Sequence, residues 1–191
     1  MQLTNLKTKY LGRGAFYYEK IDSTQKEITR RAEKGKIGNG TLIYADLQTE
    51  GIGTHGRRWY TSEKNNIAFS VFLELNCNID LLNGLTRKIA EIILDIFEYK
   101  YDIYLQIKSP NDIYYNQKKL GGILTETKVE KNRVKSLIVG IGININKDFF
   151  EEDIKDIATS INKEFQINID IKEFMSEFCN RFETEINRRI N

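Results

Sequence analysis

The sequence predicts an α+β fold in which helices pack against one mixed, largely antiparallel sheet. Two observations support this prediction. Short segments rich in aromatic and β-branched residues are separated by turn residues, which is typical of strands. Other segments carry apolar residues three and four positions apart, which is typical of amphipathic helices. The 191 residues are enough for one domain with its own hydrophobic core.

In the first half of the chain, the pattern predicts three strands and two helices. The predicted strands are residues 16–21, 41–48 and 66–75. The third is nearly continuously apolar at its centre, so we expect it to be buried on both faces. Good helix caps precede residues 25–34, and a glycine such as Gly35 is typical of the position after a helix C-terminus, so a helix is predicted there. A second helix is predicted over residues 81–97 from its apolar spacing.

In the second half, the apolar period changes to two, which predicts strands over residues 103–108, 112–115, 120–127 and 136–145. The second and third of these form a hairpin across Asn-Gln-Lys-Lys. Residues 128–135 are highly charged and are predicted to be a turn. Two charged, periodic segments, residues 153–165 and 171–190, are predicted to be helices.

Composition excludes several classes of protein. The chain has 29 basic and 27 acidic residues and a net charge of +2, which is less lopsided than in most proteins that bind DNA through its phosphates. Its two cysteines are far apart and its one histidine is His55, so a disulfide framework or a zinc site is not expected. Without a signal peptide or a long apolar run, we expect a cytoplasmic protein and no membrane partner.

Two polar segments in the first half are candidates for binding. Asp22, Ser23 and Thr24 are good helix caps, and a purely structural role is the simpler interpretation of them. The segment QTEGIGTHGRRW, residues 48–59, has three glycines that would let backbone amides approach an anion, followed by two arginines and the only tryptophan. It lacks the spacing of a P-loop or a Rossmann fingerprint, and a mobile surface loop is the alternative.

Two further segments lie in the second half. In KSPND, Lys108 precedes a tight turn, and in KKLGG, Lys119 lies on the returning strand. A hairpin would bring these lysines together, and two close ammonium groups repel unless an anion lies between them. In GIGININ, Gly140 and Gly142 interrupt a strand, which often marks a close approach, and the amide of Asn144 could recognise an adenine edge.

Taken together and in this order, these segments resemble the catalytic domain of the biotin protein ligases. The Asp-Ser-Thr segment, the glycine-rich loop ending in Gly-Arg-x-Trp, Lys-x-Pro-Asn-Asp, KLGGIL and Gly-x-Gly-x-Asn occur there at similar spacing. The similarity extends from about residue 21 to residue 146. KSPND followed by KLGGIL is its most specific part.

The resemblance implies a two-step reaction. Biotin and ATP would form biotinyl-5′-adenylate and pyrophosphate, with Mg²⁺ neutralising the ATP through ligands that the sequence does not identify. A lysine of a biotin carboxyl carrier protein, or of the carrier domain of a biotin-dependent carboxylase, would then attack the adenylate. Negative charge develops on oxygen in both steps, so positioned cations and backbone amides are expected at the site.

The resemblance also assigns roles to residues. Lys108, Asp112 and Arg57 are the implied catalytic residues: Lys108 would stabilise charge at the carboxylate and α-phosphate, Asp112 would orient or deprotonate the acceptor lysine, and Arg57 would hold the loop or contact phosphate. The implied biotin-binding residues are Ser23, Thr24, Gln25, Gln48, Lys119, Gly121 and Gly122. The implied adenylate-binding residues are Gly51, Ile52, Gly53, Thr54, His55, Gly56, Trp59, Asn111 and Asn144.

Three positions depart from the family pattern. Its loop usually reads Gly-Arg-Gly-Arg-x-Gly-Arg-x-Trp, but here Ile52 and Thr54 take the places of the first two arginines. His55 and Arg58 would compensate only in part, because a neutral imidazole is no guanidinium. Ser109 stands where the family turn usually has tryptophan. Since Lys108, Asn111 and Asp112 are kept, catalysis is still expected.

The resemblance raises expectations about domains as well. Only about twenty residues precede Asp22, so we expect residues 1–191 to be a catalytic domain without the winged helix of repressor members and without DNA as a partner. The helical pattern after Asn146 suggests that the small C-terminal β-barrel of many members is absent. The chain is expected to be a monomer or a homodimer. The alternative functions are a ligase of the same fold for lipoate or another small carboxylate, and a non-catalytic biotin- or nucleotide-binding remnant.

Overall fold

The computed structural model describes residues 3–61 and 66–190. Its centre is a seven-stranded sheet with the strand order β1-β2-β3-β7-β6-β5-β4. The strands are β1 (Ala15–Ile21), β2 (Leu42–Gln48), β3 (Asn66–Asn78), β4 (Gln106–Lys108), β5 (Asp112–Tyr115), β6 (Lys118–Glu130) and β7 (Arg133–Asn144). Only β1 and β2 run parallel, and the other neighbours are antiparallel. The predicted α+β class with one largely antiparallel sheet is confirmed.

Four helices flank this sheet, α1 (Thr24–Glu33), α2 (Leu85–Tyr101), α3 (Ile161–Phe165) and α4 (Ile171–Ile190). The main core lies between one sheet face and the helices α2 and α4, where Phe69 of β3 meets Phe178 of α4 at a ring distance of 5.3 Å. The opposite face carries α1 over a small cluster of Ile28, Ile43, Phe72 and Ile138. Because α1 is only ten residues long, much of that face remains open beside it.

The predicted burial of the third strand is confirmed, since every residue from Asn66 to Leu73 is buried. No helix among the described residues is long and apolar enough to cross a membrane. Both cysteines, Cys77 and Cys179, are buried and unpaired. Burial raises the pKa of the Cys179 thiol, so this group stays protonated and unreactive.

Two predictions of secondary structure are wrong. Residues 128–135 are not a long turn, because β6 continues to Glu130 and β7 begins at Arg133. The turn itself is only Lys131 and Asn132, whose φ angles of 47° and 64° are those of a tight two-residue hairpin. The exposed end of this hairpin tolerates charged side chains, and their abundance gave the false impression of a loop.

The predicted helix over residues 153–165 is limited to α3, which Ser160 caps by accepting a hydrogen bond from the amide of Lys163. The preceding segment instead pairs with the start of β6. The amide of Lys119 donates to the carbonyl of Ile157 at 2.8 Å, and the amide of Thr159 donates to the carbonyl of Lys119 at 2.9 Å. These tertiary hydrogen bonds override the local helical pattern. The strand predicted over 103–108 is likewise shorter and begins only at Gln106.

Candidate active site

A cavity of about 470 Å³ lies on the open sheet face, beside the start of α1. Three parts of the chain enclose it: the first turn of α1, the glycine-rich segment after β2, and the centres of β3, β6 and β7. The lining residues include Ser23, Thr24, Gln25, Gln48, Ile52, Gly53, Thr54, Trp59, Ser70, Asn111, Asp112, Lys119, Gly122, Leu124, Gly140 and Gly142.

Glycines form the floor of this cavity. Gly122 of β6 pairs with Gly142 of β7, and Gly140 lies two residues further along β7. A Cβ atom on Gly142 would lie 2.4 Å from Cε2 of Trp59, and one on Gly140 would lie 2.6 Å from Oε1 of Gln25. Both distances are too short for real contacts, so a side chain at position 142 would displace the ring of Trp59 and one at position 140 would displace the end of Gln25. The close approach that the sequence predicted for this strand is confirmed.

A buried network of hydroxyl and amide groups forms one wall. Oε1 of Gln48 accepts from the amide of Thr24 at 2.8 Å and from its hydroxyl at 3.1 Å. The same hydroxyl lies 2.9 Å from Oγ of Ser70, and Nε2 of Gln48 donates to Oγ1 of Thr61 at 3.2 Å. Ser23 is the N-cap of α1. The structure therefore joins Thr24 to Gln48 and Ser70, and Ser23 precedes Thr24 in the same wall of the cavity.

The glycine-rich segment is a small hairpin. The amide of Gly53 donates to the carbonyl of Arg57 at 2.7 Å, and the amide of Trp59 donates to the carbonyl of Gly51 at 2.8 Å. A Cβ on Gly51 would meet the carbonyl oxygen of Trp59 at 2.4 Å, which explains the glycine. At the tip, His55 and Gly56 have positive φ angles of 57° and 71° and are exposed.

The side chains of this hairpin point in different directions. Ile52 and Thr54, at the positions of the two family arginines, line the cavity. The guanidinium of Arg57 folds back on the same hairpin and donates to the backbone carbonyl of Thr54 at 3.3 Å and to its hydroxyl at 3.2 Å. Arg58 lies over the ring of Tyr60 at 5.0 Å. Of the predicted residues on this hairpin, Gly51, His55, Gly56 and Arg57 are not among those that line the cavity.

The two lysines of the predicted anion site are not facing one another. Nζ of Lys119 is 2.7 Å from Oδ1 of Asp112 within the cavity, whereas the exposed Lys108 lies with its ammonium 5.0 Å from the ring centre of Tyr114. The expected repulsion is removed because Asp112 neutralises Lys119. Lys108 is nonetheless in register with Asp112, which pairs with Gly122 of the cavity floor. The backbone of Lys108 therefore lies in line with Asp112 and Gly122 across three neighbouring strands.

A second cavity adjoins the first. Gly53, Thr54, Trp59 and Lys119 line both cavities. Arg57, Arg58 and Asn144 also line the second cavity. The described residues that line it include Arg57, Arg58 and Lys119 and no acidic side chain, which favours an anionic ligand.

Comparison with known sequences shows the family of this chain. Residues 17–144, about two thirds of the chain, match the model of the Biotin/lipoate A/B protein ligase family. The chain belongs to this family.

Individual relatives confirm the predicted resemblance to the biotin protein ligases. The chain is 41% identical over 160 residues to the bifunctional ligase/repressor BirA of Bacillus spizizenii, which covers 83% of the chain and 49% of that relative. It is 28% identical over 172 residues to the human biotin–protein ligase, covering 86% of the chain and 23% of the relative. The chain thus spans about half the length, or less, of these relatives.

Solved structures agree with the fold. The biotin protein ligase from Aquifex aeolicus in complex with biotin and ATP superposes with a TM-score of 0.75 at 30% identity. The superposition covers 92% of this chain and 71% of that protein. The seven-stranded sheet of this family member is therefore the sheet of a biotin protein ligase catalytic domain.

Other predicted residues take distinct positions in this ligase-family site. The side-chain amide of Asn111 donates to the carbonyl of Ile123 at 3.2 Å and so fixes the turn after β4. The amide of Asn144 donates to the carbonyl of Thr159 at 3.1 Å. Gly121 faces away from the cavity, where an added Cβ would meet the carbonyl oxygen of Gly142 at 3.0 Å. Only Gly122 of the pair lies on the cavity floor.

Among the polar residues, sequence reasoning missed Ser70, which lines the cavity, and Glu126, which contacts the cavity residue Gln25. Ser70 is the one hydroxyl in the apolar core of β3, in the run Ile-Ala-Phe-Ser-Val-Phe, and this interruption is a signal that could have identified it. Glu126 lies on β6 and accepts a hydrogen bond from Gln25 at 2.7 Å. Its position in an alternating strand gives no signal, because exposed glutamates are common there.

For a metal ion, the described residues offer no cluster of three or more His, Cys, Asp or Glu side chains. Asp112 is the single acidic residue that lines either cavity within the described ranges, and Lys119 already pairs with it. This donor set does not fit a resident metal. It fits an ion that enters with a phosphate ligand, since Mg²⁺ is commonly held by one or two carboxylates and substrate phosphates.

Proposed function

We propose that this chain catalyses the ligation of biotin to a protein, using MgATP as the second substrate. The observation that carries the proposal is the pair of adjoining cavities that share Trp59 and Lys119. The first is lined by a hydroxyl and amide network suited to a small polar ring. The second is lined by basic residues suited to phosphates. Biotin in the first and the nucleotide in the second would meet beside Lys119.

In the first step, a carboxylate oxygen of biotin forms a bond to the α-phosphorus of ATP. The bond from that phosphorus to the pyrophosphate oxygen breaks, and pyrophosphate leaves. Lys119 lines both cavities and would face the charge on the reacting phosphate. Lys108 would reach the same region by rotating from Tyr114, because its backbone is already in register with Asp112.

In the second step, the amine of an acceptor lysine forms an amide bond to the biotinyl carbon, and AMP leaves. The amine must lose a proton, and the nearby Asp112 carboxylate can accept it. The acceptor in this proposal is a biotin carboxyl carrier protein or domain. We further propose a monomer or homodimer that acts in the cytoplasm without DNA as a partner.

The first test measures pyrophosphate release and biotinyl-adenylate formation with biotin and MgATP. Lys108→Ala should lower the rate by roughly 10²–10³-fold, since it removes an electrostatic stabiliser of the transition state. Lys128→Ala, which changes an exposed lysine on the same sheet outside the cavity, is the matched control and should keep the full rate. A full rate in Lys108→Ala would contradict the assigned role of this lysine.

A competition between biotin, lipoate and octanoate separates the proposal from its alternatives. Leu124 and Ile123 give the cavity apolar surface that an aliphatic chain could use, so this comparison is informative. Faster adenylation of lipoate or octanoate would make the protein a ligase for that acid. Tight binding of biotin without pyrophosphate release would make it a non-catalytic binding protein.

A further inference from the structure

The ion pair between Lys119 and Asp112 lies where the two cavities adjoin. Nζ of Lys119 is 2.7 Å from Oδ1 of Asp112, and the two side chains are 27% and 17% exposed, so both are accessible to a ligand. Lys119 is among the residues that line both cavities, whereas Asp112 is among those that line the first. A ligand in the second cavity can therefore reach the ammonium of this pair.

The backbone on both sides of the pair is fixed by the sheet. The amide of Lys119 donates to the carbonyl of Ile157 at 2.8 Å, and its carbonyl accepts from the amide of Thr159 at 2.9 Å. Asp112 is in register with Gly122. The Lys119 side chain crosses the floor there, since a Cβ on Gly122 would lie 3.5 Å from its Cε and 3.6 Å from its Nζ. Its flexible four-carbon chain lets the ammonium move, whereas the short side chain of Asp112 keeps the carboxylate in the first cavity.

A phosphate in the second cavity would compete with Asp112 for this ammonium. Among the described residues that line either cavity, Asp112 has the single acidic side chain, so Lys119 has one internal anion to pair with there. The phosphate of AMP carries more negative charge and more acceptor oxygens than a carboxylate does. Lys119 would exchange one anion for another, so its own charge stays paired, and the carboxylate of Asp112 would lose its partner.

We infer that Asp112 is a positioning residue for Lys119, and that a phosphate in the second cavity breaks their ion pair and frees the carboxylate. The inference rests on the proposed function and deepens it. In the free protein, Lys119 occupies the carboxylate that the second step needs. Once the phosphate of the adenylate takes Lys119, the acceptor ammonium can transfer one proton to Asp112, and its neutral amine then attacks the biotinyl carbon. The exchange thus couples the base to the presence of the activated substrate.

The test is a double-mutant cycle on the affinity for AMP, measured by calorimetry. Asp112→Asn should bind AMP about tenfold more tightly than the wild type, because Lys119 no longer has to leave a carboxylate. In the Lys119→Met background, the same substitution should raise the affinity by no more than about threefold, since it then removes only the repulsion between Asp112 and the phosphate. A general loss of structure would weaken binding and cannot produce the first gain.

The matched control uses another lysine–carboxylate pair of β6. Lys128 and Glu130 are exposed and lie 3.8 Å apart. Lys128→Met, Glu130→Gln and their combination should leave the affinity for AMP unchanged. Asp112→Ser removes the same charge as Asp112→Asn with a smaller side chain, and it repeats the cycle if the asparagine variant does not fold.

The two half-reactions give a second readout for Asp112→Asn. The KM for MgATP in pyrophosphate release should fall, because Lys119 is already free to meet a phosphate. Transfer of biotin from supplied biotinyl-adenylate to the acceptor lysine should slow by roughly 10²-fold, because the group that accepts the proton is lost. The opposite signs of these two changes distinguish positioning by Asp112 from structural support.

The outcomes separate this inference from the proposed function. Equal affinity for AMP in the wild type and the folded Asp112 variant, or an equal gain in both backgrounds of the cycle, would overturn the exchange and leave the ligase proposal standing. A wild-type protein that binds neither AMP nor MgATP would overturn both proposals.

Discussion

At the scale of single residues, Gly140 and Gly142 leave space that the side chains of two other residues occupy. The sequence predicted that glycines in this strand mark a close approach, and the structure shows Gln25 over one and Trp59 over the other. The identity of these two partners could not be predicted. They come from segments more than eighty positions earlier in the chain, and only the folded sheet brings them to β7.

The ion-pair partner of Lys119 could not be predicted from the positions of the charged residues in the sequence. By contrast, the closeness of Lys119 to the turn after β4 could be predicted from the hairpin. The sequence suggested an anion between two lysines, whereas the structure supplies the carboxylate of Asp112 at 2.7 Å. A carboxylate from the same strand pair competes with any external anion, so part of the phosphate-binding charge is already neutralised before a ligand enters.

Ile52 and Thr54 lead to a prediction about the reaction intermediate. Both line the first cavity at positions where related ligases usually have arginine. The double variant Ile52→Arg/Thr54→Arg should retain biotinyl-adenylate about tenfold longer, because a guanidinium bonds a phosphate through charged hydrogen bonds. Release of labelled adenylate after rapid dilution measures the retention time.

The matched control for this variant is Ile52→Gln/Thr54→Gln, which lengthens both side chains without adding charge. It should retain the intermediate no better than the wild-type protein does. Equal retention in the wild-type and arginine variants would show that other groups already replace the two missing cations.

At the scale of elements, strongly patterned segments were predictable. The apolar run of β3 and the helical spacing of α2 follow from the sequence, because burial on two faces or on one stripe leaves a clear period. The failures have a different cause. Residues 128–135 are charged, and the pairing of β6 with β7 makes them strands. Residues 153–160 have a helical pattern, but hydrogen bonds to the start of β6 determine the structure of their last part.

The start of α1 gives a prediction about pH. Two hydrogen bonds from the guanidinium of Arg30, at 2.7 Å and 2.9 Å, lower the pKa of Asp22 to about 2. Because the folded pKa lies below that of the unfolded chain, the pair stabilises the protein above about pH 4, and this stability is lost as the pH falls towards 2. Asp22→Asn should lower the free energy of unfolding at pH 7 by about 1 kcal/mol, a value reduced for solvent screening.

Chemical denaturation of the wild-type and Asp22→Asn proteins at pH 7, 4 and 3 measures this effect. The difference between the two proteins should shrink as the pH falls below 4. Asp95→Asn, at an exposed position of α2, should show no such trend. A difference that stays constant down to pH 3 would mean that the Asp22–Arg30 pair does not contribute to stability.

At the scale of the whole molecule, Glu183 of α4 connects the two ends of the described chain. Its carboxylate accepts hydrogen bonds from the backbone amides of Lys9, Tyr10 and Leu11 at 2.5, 3.0 and 2.8 Å. The carboxylate is satisfied by three donors and is only 6% exposed as a residue. The segment before β1 is therefore fixed to the helix that covers the main core.

Glu183→Gln should lower the free energy of unfolding by about 2 kcal/mol, because an amide offers one acceptor oxygen and turns an N–H group towards backbone donors. Thermal or chemical unfolding measures the change. Glu177→Gln, which breaks a partly exposed pair with Arg181 on the same helix, should cost only about 0.5 kcal/mol. Equal losses in the two variants would contradict a special role for the buried carboxylate.

Trp59 is the only tryptophan in the chain, and it lines both cavities. The intrinsic fluorescence of Trp59 can therefore be used to follow ligand binding. Light absorbed at the red edge of the aromatic band, where the ten tyrosines contribute little, excites this one indole. A ligand that enters either cavity changes the polarity around the same fluorophore, so the occupancy of both cavities can be followed in the unlabelled protein.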